Sequence, residues 1–288
     1  MKIYCNAKLN LSLDITGIRD DRYHYLDMVM QSVDLCDIMT INPIDSDEIE
    51  ITSNSEILPV DTSNLVCKAA KALAELSGIK RAGLKIHIEK NIPMLAGLGG
   101  GSADAAGALL ALRKLWQIPI SDENLLALGA SLGADIPFML KGGTARVKGI
   151  GELINPIAPL GDCYFVIVMP DKGISTKEAF SSIDERTGFI HPSTNRLIES
   201  IERGDIHTAS KLFCNVFETS GLFPLSTQVK KEMLSYGALG ASLTGSGSAV
   251  FSLFLNETDA INCLLKLSSK YECFLSKPAG KSIYLENV

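Results

Sequence analysis

The chain is 288 residues long (31.0 kDa) and carries a formal net charge of −6, with a pI near 5.3. With 46% hydrophobic and 21% charged residues, the disordered, collagen-like and low-complexity classes are excluded, and about two domains are expected. The acidic balance argues against nucleic-acid binding and against a basic membrane-facing surface, but backbone N–H groups and a lysine can still hold an anionic small molecule.

Ile3, Cys5, Ala7, Leu9, Leu11, Leu13 and Ile15 alternate with Tyr4, Asn6, Lys8, Asn10, Ser12, Asp14 and Thr16. Period two predicts a strand with one face in the core, so Lys8 and Asn10 are expected side by side on its polar face. Tyr23-His24-Tyr25 reads as an aromatic cluster in a loop, and Val29 to Ile41 and Glu48 to Thr52 read as strands. A helix is predicted from about Asn64 to Ser77, capped by Asp61, Thr62 or Ser63 and ended by Gly78. Leu84 to Glu89 alternates as a strand and leads into Pro93-Met94-Leu95-Ala96-Gly97-Leu98-Gly99-Gly100-Gly101-Ser102-Ala103-Asp104. A helix follows from near Ser102 to about Trp116, and another from Asp122 to Ser131 with Gly133 as its stop. Asp135-Ile136-Pro137 is expected to be a loop, because proline disfavours a helical conformation at Ile136.

Pro156, Pro159 and Gly161 mark a boundary between an N-terminal domain over 1–158 and a C-terminal domain over 159–288. Beyond it come a strand at Cys163 to Met169 and a short helix with a capping box of Ser175 and Glu178. Helical patterns follow at 194–202, 205–217 and 225–236, then a Gly-rich turn at 244–248, a strand from Ala249 to Leu255, a helix near 257–270 and closing strands. Strands and helices mixed without regular βαβ repetition predict an α+β fold in both halves.

Two Gly-rich segments carry the chemistry. Gly97-Leu98-Gly99-Gly100-Gly101-Ser102 lies between a strand and a helix, where glycines turn successive N–H groups toward one point and the helix adds its positive end. That arrangement suits a polyphosphate. It lacks the Lys-Ser/Thr of a P-loop and the third glycine of the dinucleotide fingerprint. Ala105, Ala106, Gly107 and Ala108 keep the following turns slim, so that a ligand or strand can come close. Thr244-Gly245-Ser246-Gly247-Ser248 is weak alone, since a plain hairpin fits it as well; its weight comes from co-occurrence with the first loop. Taken singly, Lys8 also reads as a solvated strand residue and Asp135 as a turn or capping aspartate.

The seven cysteines form no CxxC, so free thiols in a reducing cytoplasm are expected. The four histidines are scattered, and no histidine metal site is expected. No apolar signal core follows Met1. The 24 uncharged residues from Met233 to Asn256 are broken by glycines and serines, which predicts a buried turn and strand, not a membrane span. The expectation is a soluble, cytoplasmic protein with neither nucleic-acid nor membrane partners.

Taken in order, Ala7-Lys8-Leu9-Asn10-Leu11, Pro93 to Asp104 and Leu243 to Phe251 resemble the three motifs of the GHMP kinases. Gly17 with Tyr23-His24, Asp61 to Leu65, Leu132 to Phe138, and Gly149-Ile150-Gly151-Glu152 extend the likeness over nearly the whole chain. Two departures are small: Cys5-Asn6 stands where a small residue and proline are usual, and Leu95-Ala96 where the glycine run is fuller. The resemblance implies a two-domain α+β architecture, with a ribosomal-protein-S5-domain-2-like N-terminal half, a ferredoxin-like C-terminal half and the active site in the cleft between them. It implies ATP-dependent phosphorylation, with Mg²⁺, of the 2-hydroxyl of a cytidine-diphosphate-linked methylerythritol in isoprenoid precursor synthesis, by a monomer or homodimer.

Carried over by residue, Lys8 and Asp135 are the implied catalytic pair. Pro93, Met94, Leu95, Ala96, Gly97, Leu98, Gly99, Gly100, Gly101, Ser102 and Ala103 make the implied ATP loop, with Lys90 and Asn64 near the adenine. Asn10, Tyr23, His24, Thr176, Phe180, Gly245, Ser246 and Gly247 are the implied acceptor contacts, and Ser102 the implied oxygen for Mg²⁺. The alternatives are a homoserine- or mevalonate-type kinase of the same family, and a non-catalytic nucleotide-binding module.

Overall fold

The computed structural model describes residues 1–20, 23–80, 82–170, 176–183, 189–220 and 222–286. β1 (Lys2–Ile18) and β2 (His24–Pro43) form a long antiparallel pair. β3 (Ile49–Ser53) is followed by α1 (Leu65–Leu76) and β4 (Leu84–Glu89); β4 lies between β3 and β2. Then come α2 (Gly100–Leu115), α3 (Asp122–Leu132) and α4 (Ile136–Lys141), with β5 (Thr144–Gly149) and β6 (Leu153–Pro156) returning to the open flank of β2.

β7 (Tyr164–Met169) opens a second sheet. After it come α5 (Thr176–Ile183), α6 (Thr194–Glu202), α7 (Ile206–Lys211), the two-residue β8 (Cys214–Asn215) and α8 (Pro224–Ser235). β9 (Gly240–Leu243), β10 (Val250–Phe254), α9 (Glu257–Leu267), β11 (Glu272–Ser276) and β12 (Ile283–Glu286) complete the chain. The second sheet has the order β11-β7-β10-β9 and is antiparallel throughout. β8 and β12 instead leave the second half of the chain and pair with β1 of the first sheet. The uncharged run from Met233 to Asn256 thus holds β9, a turn and β10. Among the described residues no helix is long and apolar enough to cross a membrane.

β1 does not keep one face in one core. Ile3, Cys5 and Leu13 join the cluster beneath the helices, whereas Ala7, Leu9 and Leu11 join the cluster against the second sheet. The switch falls between two register irregularities with β2, at Asn6/Lys8 and at Asn10/Ser12. Each shifts the alternation and turns the next residues over. Lys8 and Asn10 therefore do share a side, as their spacing predicts, but it is a buried side: they are 3% and 1% exposed. Alternation along a strand covered on both faces cannot show which face is wet.

α2 packs on β1 through its small residues. A Cβ on Gly107 would lie 2.6 Å from the Cys5 sulfur, so the slim stretch serves a close strand. Several local expectations are corrected. α1 is capped by Asn64, whose side-chain oxygen accepts from Val66 N–H. Asp61 instead closes a local turn on Ser63. His24 and Tyr25 belong to β2, because they pair with Ile18 and Gly17. The helix expected over 205–217 stops at Lys211, and the chain turns into β8 to reach β1. The helix begun at Glu257 ends at Leu267. α2 begins at Gly100, slightly ahead of expectation. Asp135-Ile136-Pro137 is the start of α4 rather than a loop: in a helix's first turn the N–H that proline lacks has no intrahelical acceptor anyway. Ser175, the expected cap of α5, lies outside the described residues.

Candidate active site

A cavity of about 500 Å³ opens where β1, the Gly-rich loop, the start of α4 and the turn after β9 converge. That volume is in the range of small-molecule sites. The loop takes left-handed backbone at Leu95, Gly97 and Gly99 (φ 56°, 76° and 72°) and hands over to α2 at Gly100. A Cβ on Gly97 would lie 2.3 Å from the Thr244 carbonyl oxygen, and one on Gly245 would lie 2.7 Å from the Gly97 carbonyl oxygen. The two Gly-rich segments therefore touch backbone to backbone, which only glycines permit. Ala249 N–H donates to Ala96 O at 3.2 Å, and Lys8 N–H donates to Leu98 O at 3.0 Å, fixing the loop against both sheets.

α2 presents its first N–H groups to this cavity. Its N-cap is Gly99, which has no side chain to satisfy them, and its first turn carries no acidic residue. Gly100, Gly101 and Ser102 line the wall. Ala103 lies behind them, fully buried, its N–H bonded to Gly99 O. The positive end of a 16-residue helix is thus left open to an anion.

Lys8 and Asp135 meet across the cavity. Lys8 Nζ is 3.9 Å from Asp135 Oδ2, and the aspartate remains 34% exposed while the lysine is buried. Asp135 occupies the N-cap position of α4 without spending its carboxylate on the helix. Burial pushes the Lys8 ammonium below the ordinary lysine range, and Asp135 pulls it partly back. The ammonium donates to Asn10 Oδ1 at 2.5 Å. The same oxygen accepts from Gly245 N–H at 3.0 Å, and Asn10 N–H donates to Thr244 Oγ1 at 2.9 Å. Asn10 thereby ties the lysine to the second Gly-rich turn. Asn215, wholly inside, donates to Leu243 O and Gly245 O and holds that turn from behind.

The remaining expected residues divide. Gly245, Ser246 and Phe180 reach the cavity wall. Gly247 does not; a Cβ there would strike the Phe223 ring at 2.2 Å. Phe180 packs between His24 and Phe217, with ring centroids 4.9 Å from each. His24 is buried and Tyr23 is 61% exposed. Thr176 opens α5, and its side chain lies outside the described residues. Asn64 sits behind the cavity with both amide atoms engaged, the oxygen on Val66 N–H and the nitrogen on Pro59 O. Lys90 lines the wall, but its ammonium is shared between Asp37 and Asp104.

Asp37 and Asn215 carry no recognised motif. The signal for Asp37 was a carboxylate inside an apolar strand, directly opposite Cys5. Ala134, Ile150 and Gly151 also line the cavity. Among the described residues no group of three or more His, Cys, Asp or Glu side chains could hold a metal ion.

Residues 64–143 match the GHMP kinases N terminal domain, and residues 197–273 match the GHMP kinases C terminal domain. The chain is 46% identical over 280 residues to the 4-diphosphocytidyl-2-C-methyl-D-erythritol kinase of Clostridium tetani, covering 96% of this chain and 99% of that protein. A kinase of the same name from Caldicellulosiruptor saccharolyticus is 41% identical over 273 residues, covering 94% and 92%. A crystal structure of 4-(cytidine 5'-diphospho)-2C-methyl-D-erythritol kinase superposes with a TM-score of 0.82 at 31% identity, over 97% of this chain and 100% of that one. Homoserine kinase from Cytophaga hutchinsonii superposes with a TM-score of 0.79 at 20% identity, over 99% and 96%, a likeness of fold alone.

Proposed function

We propose, from the premise that this chain belongs to the GHMP kinases, a division of labour among its own residues in phosphoryl transfer. The protein is an ATP-dependent small-molecule kinase. It phosphorylates the 2-hydroxyl of 4-(cytidine 5'-diphospho)-2-C-methyl-D-erythritol, giving the 2-phosphate and ADP, in isoprenoid precursor biosynthesis.

The observation that carries the site assignment is the Lys8–Asp135 pair, 3.9 Å apart and facing the open start of α2. Phosphoryl transfer needs positioning and charge compensation more than covalent help. The N–H groups of Gly100, Gly101 and Ser102 hold phosphate oxygens. Asp135, the more exposed partner, accepts the proton of the acceptor hydroxyl. Lys8, held by Asn10, stabilises charge on the transferring group. Mg²⁺, when bound, would supply further charge compensation, and Ser102 is a side-chain oxygen at the wall that would hold it. The acceptor's cytosine lies on the side of His24 and Phe180, with Tyr23 at the rim. Asn64 and Lys90 flank the adenine side, Asn64 acting through α1. The domains divide near 158, with β8 and β12 reaching back across that division; their pairing with β1 supports a cleft between two coupled units.

ADP release is the test. Purified protein with Mg-ATP should turn over the cytidine-diphosphate methylerythritol, but not the free sugar alcohol, homoserine, mevalonate or galactose. Asp135→Asn should lose about 10²–10⁴-fold in kcat while remaining folded. A variant with near-parental kcat would remove the base assignment.

A further inference from the structure

Three residues immediately before the Gly-rich loop converge on one carboxylate. Asp37, in the middle of β2 and fully buried, accepts from Asn91 N–H at 2.7 Å and from Ile92 N–H at 2.8 Å through Oδ1. Its Oδ2 accepts from Lys90 Nζ. Lys90 Nζ also donates to Asp104 Oδ2 at 2.8 Å, on the second turn of α2. Lys90 therefore ties the lead-in of the loop, fixed by Asp37, to the helix that leaves it. The ammonium lies directly under the helix start: a Cβ on Gly100 would be 3.2 Å from it.

Such a cluster is a poor device for stability alone. Two carboxylates share one ammonium, so the buried cluster either carries a net negative charge or takes up a proton, and apolar packing would cost less desolvation. Asp104 Oδ1 is, among the described residues, the buried side-chain atom without a hydrogen-bond partner. A cluster with no net positive charge also does nothing to attract phosphate. What charge-assisted bonds to a rigid strand do supply is fixed geometry. The loop has left-handed turns at three positions. Its lead-in is also tied by Asn54, which accepts from Lys90 N–H and donates to Lys90 O, and by the Asn91 amide on Cys36 O, but Asp37 is the charged group that joins it to β2.

We propose that Asp37 is a positioning residue for the nucleotide: by holding Lys90, Asn91 and Ile92 on β2, it sets the approach of the Gly-rich loop and keeps the Lys90 ammonium beneath its helix. The inference rests on the reading of this cavity as the ATP site. It separates Asp37 from the acceptor side, which lies around Phe180 and the second Gly-rich turn.

The test is Asp37→Asn. The amide keeps the side chain's shape but only one acceptor: with its oxygen on the Asn91 and Ile92 N–H groups it turns a donor toward Lys90, and flipped it offers Lys90 a neutral oxygen and the backbone a donor. The Kd for a non-hydrolysable ATP analogue with Mg²⁺, measured by calorimetric titration, should rise about tenfold or more, the size of one charge-assisted hydrogen bond. KM for ATP should rise with it, while KM for the acceptor stays within about twofold and kcat falls less than either ATP parameter. A folded variant with parental ATP affinity overturns the assignment, and so does an equal rise in both KM values, which a general loosening would give. Should the variant not fold, amide hydrogen exchange on the unmodified protein decides. Exchange at Asn91 and Ile92 should slow with the ATP analogue and not with the acceptor alone; no nucleotide-dependent change overturns the proposal. If the unmodified protein itself fails to bind the analogue, the ATP-site reading fails and this inference with it. If it binds and Asp37→Asn binds equally well, only the role of Asp37 fails.

Discussion

Asp104 and Asp135 both sit near the start of a helix, yet their surroundings give them opposite tasks. Asp135 keeps a third of its side-chain surface in the cavity and faces Lys8. Asp104 is sealed beneath α2; burial pushes its carboxyl from the ordinary 3.8 up to about 7, with Asp37 adding to the rise and Lys90 opposing it. Between those two values the folded state binds more protons than the unfolded chain. The stability this proton contributes is whole below about pH 4 and is lost as pH rises through about 7. Thermal melts of Asp104→Asn should accordingly vary less with pH across that window than those of the parent, and an unaltered slope would count against the buried proton. Lys8→Met removes the ammonium and one donor to Asn10 without touching the backbone link between Lys8 N–H and Leu98 O. It should lose most of kcat while melting within a few degrees of the parent. The pairing of Lys8 with Asn10 was legible in their spacing. Their burial was not, because register irregularities turn the strand over on either side of them.

At the scale of elements, the Gly-rich loop shows how much a motif can state without saying why. Its composition predicts an anion site, and the position of α2 behind it follows from strand-loop-helix order alone. The reason for Gly97 lies 147 residues away at Thr244, whose carbonyl oxygen occupies the space a Cβ would need. Gly97→Ala costs about 1–2 kcal/mol for the left-handed backbone alone, before any displacement of the second turn. It should weaken ATP and acceptor binding together, since both turns move; a melt and two KM values check this. Asn64 is the converse case. The resemblance places it beside adenine, while its amide is consumed by Val66 N–H and Pro59 O. Asn64→Ala should therefore cost about 1 kcal/mol of stability, as the loss of a helix cap does, with KM for ATP changing little. A large rise in that KM at unchanged stability would return Asn64 to direct contact. At α4 the preference of pre-proline residues for extended backbone predicts a loop, but a helix's first turn tolerates proline, so Asp135 stands at a helix start.

At the scale of the molecule, β1 is the common wall. One side faces the helices, the other faces the second sheet, and β8 and β12 from the far half of the chain pair with it. The site lies where the strand crosses from one core to the other, so Lys8 and Asn10 emerge between two packed layers rather than on a surface. Glu218 and Asn215 brace the second Gly-rich turn from the C-terminal half, Glu218 accepting from Leu243 N–H and Ser242 Oγ. Asn10 and Gly97 meet that turn from the first half, at Thr244 and Gly245, so the two halves are coupled at the cavity and substitutions such as Gly97→Ala should be felt in both sheets.

The sequence alone determined the α+β class, the order of most elements, the Gly-rich loop leading into a helix and, through three motifs in order, the family. These are properties of local spacing: a period of two, a glycine run before a helix, a cap before an apolar stripe. Tertiary structure alone decided which polar residues are buried, that the two Gly-rich turns touch, and that Asp37, Lys90 and Asp104 form one cluster. The physical reason is range. Burial, close backbone approach and shared protons depend on what lies across the fold, and residues such as Asp37 and Asn91, separated by 54 positions, have no local pattern to announce that they meet.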